Sequence, residues 1–266
     1  MVNYLKKSRR EYKLAIRRPK KYQKKLEDLS DYLNLKKLSR FKTDLIPKYW
    51  SGKLNNKGNI ILFGLNPGLS STAQISDREL KKSWKAYKKL REDNFLGMKT
   101  KKGLGPYYRD YYKLMCGLFG LKYNKKIDWE FFHNNLLNLN LFPYHSNQTN
   151  LPGRFSAGQL SLVMERLDNI LEFARTQKPK LCIFNGNAWK ILFIEHHLVK
   201  KPKKITIIND FCMYFFKYKA MSCVLFNHFL SSSRHDGVND EFLMKTIPKK
   251  IKNQYPKKFR KFKDYT

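Results

Sequence analysis

The order of apolar runs predicts an α/β protein, a three-layer α/β/α sandwich around a central, mainly parallel four-stranded sheet. Four short runs carry this expectation, at 59–64 (NIILFG), 136–142 (LLNLNLF), 180–185 (KLCIFN) and 221–226 (MSCVLF), each ending at a Gly, Pro or Asn loop. Continuous runs of this kind mark strands buried on both faces. Helical patterns separate them, and strands joined through helices pair in parallel by right-handed crossovers. With 42% hydrophobic and 15% aromatic residues in a chain of 266, a sizeable core is available and wholesale disorder is excluded.

The elements follow in order. Residues 1–57 form a basic, mostly helical N-terminal extension, in which Leu26, Leu29, Tyr32 and Leu33 fall at helical spacing and pack on the body. The α/β domain spans 58–253, interrupted at about 73–105 by a polar helix and a Gly/Lys loop that fit the alternation poorly. A long amphipathic helix is expected over 156–176, with Ser156 as its N-cap. Another helix starts near Asn187, and 204–208 (KITII) is a possible further strand. The last helix opens at 237–240 and should end near Thr246, ahead of Pro248. A basic tail occupies 254–266.

Charge narrows the function. Lys and Arg number 55 against 21 Asp and Glu, a formal net charge of +34. Such a field favours polyanions, and nucleic acid is the commonest one inside a cell. A solvated lysine coat is the plainer reading of the same count. No run approaches the roughly 18 apolar residues of a membrane span, and the N-terminus lacks an apolar signal region. A non-secreted protein is therefore expected, cytoplasmic and nucleoid-associated, or nuclear in a eukaryote, with no membrane partner. Cys116, Cys182, Cys212 and Cys223 stand singly, without the pairing that a zinc or iron–sulfur site needs. No metal or other cofactor is expected, and no Walker-type loop supports an NTPase.

In open sheets, ligands bind beyond the carboxyl ends of the strands. Three polar clusters lie there: 64–71 (GLNPGLSS), 140–146 (NLFPYHS) and 227–235 (NHFLSSSRH). Glycosidic cleavage of a nucleotide leaves positive charge on the sugar and negative charge on the departing base. The Asn66 amide oxygen suits orientation of a water, and His228 suits a hydrogen bond to the base oxygen on which charge collects. Asn140 offers an acceptor and donors that match the imide-like edge of a pyrimidine. Each residue has a plainer alternative, and an Asn-Pro-Gly turn needs no ligand. A Schiff-base lyase would need a buried lysine in the pocket, and none of the three clusters contains one.

The segment GLNPGLSS resembles the first catalytic motif of the uracil-DNA glycosylase superfamily, in the Asn-Pro-Gly form of its mismatch-specific and single-strand-selective monofunctional branches. His228-Phe229-Leu230-Ser231 lies where the family carries His-Pro-Ser-Pro, without either proline, and NLFP resembles a strand-end Asn-Leu-x-Pro whose Asn reads the base. The resemblance spans about 59–252 and implies a monofunctional, monomeric DNA glycosylase acting on a flipped pyrimidine, with Asn66 and His228 catalytic. It places Gly64, Leu65, Gly68 and Asn140 around the base, with Tyr111 as the stacking ring and Tyr107 as second choice; a tyrosine-rich helix packed between layers explains the same two rings. Branches strict for uracil carry tyrosine where Gly68 stands, so glycine implies room for a 5-substituted pyrimidine, including a hypermodified base of foreign DNA. Ser70, Ser231, Ser232 and Ser233 suit contacts to flanking phosphates, and Arg234 suits entry into the emptied stack.

Overall fold

The computed structural model describes residues 2–54, 59–67, 83–98, 104–123, 126–147, 155–228, 230 and 238–259. The chain is mixed α/β. Seven strands form one sheet: β1 (Trp50–Ser51), β2 (Ile60–Gly64), β3 (Leu136–Asn140), β4 (Leu181–Asn185), β5 (Lys203–Ile208), β6 (Phe211–Tyr218) and β7 (Met221–Phe226). Their order is β1-β3-β2-β4-β7-β6-β5.

All four expected runs are strands, but the expected four-stranded, mainly parallel sheet is too small and too uniform. β4 pairs with β7 in parallel, Cys182 beside Cys223 and Asn185 beside Phe226. β1 pairs with β3, β5 with β6 and β6 with β7 in the antiparallel sense. The sheet is therefore mixed. β6 escapes a sequence reading because its turns are disguised. Two residues, Lys219 and Ala220, close the β6–β7 hairpin at φ 47° and 67°, a geometry that ordinarily selects Asn or Gly. Asn209, at φ 45°, opens the tight turn from β5 into β6.

The chain forms two compact units. The first comprises Met1–Asn55, Phe63–Asn94 and Leu137–Gln177. Helices α1 (Val2–Arg17) and α2 (Pro19–Tyr32) belong to it, with α3 (Trp84–Glu92) and the long α7 (Ala157–Thr176). Pro19 opens α2, where its missing N–H has no helical acceptor to lose. Tyr22, Leu26 and Ser30 are buried on one stripe, with Leu33 beyond the helix end, whereas Tyr32, expected on that stripe, is 49% exposed. Ser156 caps α7 as expected: its hydroxyl accepts from the Gln159 N–H, and Gln159 Oε1 accepts from the Ser156 N–H at 2.8 Å. Aromatic rings fill this core, with Tyr4 stacked on Phe173 at 4.4 Å and Phe41 packed on Phe142 and Tyr144.

The second unit comprises Asn56–Leu62, Phe95–Leu136 and Lys178–Thr266. It holds α4 (Asn94–Gly97) from its second residue on, then α5 (Pro106–Phe119) and α6 (Trp129–Asn135). After β4 come α8 (Asn187–Lys190) and, near the C-terminus, α9 (Ile247–Gln254). Ile60, Leu62, Leu114, Met115, Ile183, Val224 and Ile251 form one apolar cluster. The C-terminal helix departs from expectation. A π-helical turn, Phe242–Thr246, runs without a break into α9, so the helix carries Pro248 instead of stopping before it. Thr246 and Ile247 keep helical φ and ψ, so Pro248 sits inside a continuous helix, and the missing N–H falls where the π turn already breaks the regular α-helical ladder.

Candidate functional site

Two of the three polar clusters meet in the first unit. The chain leaves β2 through Leu65-Asn66-Pro67 and leaves β3 through Leu141–Ser146, and backbone hydrogen bonds lace the two segments together. Leu141 N–H donates to Gly64 O at 2.9 Å, Phe142 N–H to Leu65 O at 2.7 Å and Ser146 N–H to Pro67 O at 3.3 Å. Asn66 is fixed by this arrangement. Its Nδ2 donates to Ser146 Oγ at 2.6 Å and to Tyr144 O at 3.4 Å. Both amide hydrogens are thus committed, and Oδ1 is the polar atom left to accept.

Asn140 is 3% exposed and held twice, its N–H donating to Tyr49 O at 3.0 Å and its Nδ2 to Lys48 O at 2.8 Å. Gly64 must be glycine for this arrangement: a Cβ there would lie 2.6 Å from Asn140 Oδ1. One of the donors expected to read a base is therefore already engaged.

Behind Tyr144 lies an ionic network that the sequence did not reveal. The Tyr144 hydroxyl donates to Glu11 Oε2 at 2.7 Å, and Lys25 pairs with the other carboxylate oxygen. Burial alone would raise the Glu11 carboxyl, but Lys25 and Arg166 hold it below the usual carboxylate range. The Arg166 guanidinium lies over the Phe142 and Tyr144 rings, 5.1 and 5.6 Å from their centroids. Helix α1 is thereby tied to the residue whose carbonyl steadies Asn66. Lys48, whose carbonyl anchors Asn140, was also missed. Burial and the neighbouring Arg91 guanidinium pull its amine down to about 7.

The second unit holds the remaining described candidates. Tyr107 and Tyr111 stand one turn apart on α5, their rings edge to face at 5.0 Å. Burial raises both phenols, Tyr107 to about 12 and Tyr111 well above its ordinary value. Tyr111 is 1% exposed, so Tyr107, which is partly exposed, has the more ring surface to offer. Asn185 followed by Gly186 at φ 107° was a legible signal, the same strand–Asn pattern as the other clusters. His228 is partly exposed just beyond β7. Asn227 sets its starting point, accepting from Cys212 N–H at 2.7 Å and donating to Asp210 O at 2.6 Å. Gly68, Ser70, Ser231, Ser232, Ser233 and Arg234 lie outside the described residues.

Among the described residues no group of three His, Cys, Asp or Glu side chains could hold a metal ion. All four cysteines are buried with free thiols. No helix among the described residues is long and apolar enough to cross a membrane. No protein-family model matches the chain, and no curated protein matches its sequence significantly.

Proposed function

We propose that this chain is a monofunctional DNA glycosylase that flips out uracil or a C5-modified pyrimidine and hydrolyses its bond to deoxyribose, leaving an abasic site. The proposal includes a three-layer arrangement, with helices on both faces of the sheet. The observation that supports it most is the orientation of Asn66. With Nδ2 turned to Ser146 and Tyr144, Oδ1 is the acceptor that can hold a water by its hydrogen, as attack on the sugar carbon requires. An amide is too weak a base to take that proton early, so the barrier must fall mainly through stabilisation of the departing base. His228 would donate to the base oxygen as negative charge gathers there. The net charge of +34 suits a DNA partner, and a base must leave its stack before any such site can reach it.

The test uses single- and double-stranded oligonucleotides carrying uracil or 5-hydroxymethyluracil, incubated with the protein and then treated with alkali. Scission at the marked base is expected, and His228→Ala should slow it on the order of 10²-fold or more while DNA binding survives. Binding without abasic sites would overturn the enzyme. That outcome fits a second reading, a non-catalytic module that grips DNA or a modified base, which the engagement of Asn140 Nδ2 by Lys48 O favours. Excision of a hypermodified base from foreign DNA, a defence activity, rests on Gly68 and the segment at 73–105. Mass spectrometry of bases released from variously modified DNAs separates it from repair.

A further inference from the structure

Away from the strand ends, the first unit carries a cavity of about 340 Å³ between α1 and the start of α3. Arg9, Lys13, Ile16 and Arg17 of α1 line it together with Ser83, the partly exposed Trp84 and Tyr12, which is itself 4% exposed. No carboxylate is among the lining residues. The three cations follow each other at four-residue intervals, so they share one stripe of α1 about 6 Å apart. None makes a salt bridge among the described residues, whereas Lys7 on the same helix pairs with Glu165 at 3.6 Å. Trp84 is partly exposed and rigidly backed: it stacks on Tyr87 at 5.1 Å and meets Trp50 edge-on at 6.2 Å. Ser83 caps α3 by accepting from the Ala86 N–H, which fixes the backbone under Trp84.

A plain solvated face would need neither the cavity nor an indole held at its edge. A cationic row beside a backed aromatic ring is the combination that tracks a sugar-phosphate backbone while stacking an unpaired base. A duplex hides its base faces, so this chemistry selects single strands.

We propose that the groove formed by Arg9, Lys13, Arg17, Tyr12 and Trp84 binds a single-stranded nucleic-acid segment, one base stacking against Trp84 and the phosphates following the α1 stripe. This contact is separate from the strand-end residues and does not depend on base excision.

Fluorescence anisotropy with labelled oligo(dA), which contains no pyrimidine, measures the affinity of the full chain across a salt series. Trp84→Ala should weaken binding roughly 5- to 150-fold, the usual value of one stacked base, and Trp84→Phe should keep most of it. Replacing Arg9, Lys13 and Arg17 together with Gln should flatten the slope of log affinity against log salt by about 2, three phosphates at roughly 0.7 each. The Trp emission of the wild type should be quenched on binding. If Trp84→Ala fails to fold, the charge variant decides, because Arg9, Lys13 and Arg17 are all exposed. An unchanged salt slope, or equal affinity for a duplex of the same length, would overturn the proposal. So would binding to phosphatidylglycerol vesicles but not to oligo(dA). Base release can fail while this binding persists, so the two proposals fall separately.

Discussion

Lys48 shows how one residue can serve two ends of a structure. Its carbonyl anchors Asn140, while its half-buried side chain brings the amine within reach of the Arg91 charge. In an unfolded chain a lysine titrates near 10.4, and here burial and then Arg91 bring it to about 7. Between those values the unfolded state binds the additional proton, so this residue makes stability rise with pH from about 7 to about 10, and below 7 its penalty is fully expressed. Lys48→Met should therefore raise the Tm at pH 6 and change it little at pH 10.5. Thermal melts at the two pH values check this, and an equal shift at both would mean that the amine is not linked to folding. At this scale the sequence identified Asn66 and Asn140 but not their partners. Asn66 meets Ser146 across 80 residues and Asn140 meets Lys48 across 92, separations that no local pattern encodes.

Elements were legible where local chemistry was unambiguous. The capping box at Ser156 and Gln159 and the four apolar runs needed only nearest neighbours to specify them. β6, between the expected β5 and β7, was not, because the turns on either side of it lean on residues that dislike them. Ala220 adopts φ 67°, where a Cβ crowds the following carbonyl at a cost of roughly 1 kcal/mol or more. Strand pairing on both sides overrides that cost. Ala220→Gly should relieve it and stabilise the protein by about 0.5 kcal/mol, net of the glycine's larger unfolded-state entropy. A Tm rise of a degree or two by calorimetry is the expected result, and a fall would show that the hairpin is not held in this geometry. Pro248 teaches the converse lesson. It reads as a helix stop, yet the helix runs through it, because the π-helical turn just before it already departs from the α-helical hydrogen-bond ladder.

At the scale of the whole molecule, charge is the property that composition alone supplies. A chain of +34 that binds DNA must release counterions, so affinity should fall at least about 10²-fold between low and physiological salt. Electrophoretic mobility shifts over a salt series check this, and a flat response would return the lysines to solvation. The sequence by itself determined the α/β class, the four buried strands and the strand-end positions of the polar clusters, because each follows from periodicity and turn chemistry within about ten residues. Only the tertiary structure decided that the sheet has seven strands in mixed directions, since edge pairing joins segments far apart in the chain. It also decided that Asn66 turns its amide hydrogens inward, that Gly64 leaves room for Asn140, and that Glu11 on α1 steadies the loop carrying both Tyr144 and Ser146. These are orientations and close approaches, fixed by packing between distant residues, and a pattern of residue types carries no information about them.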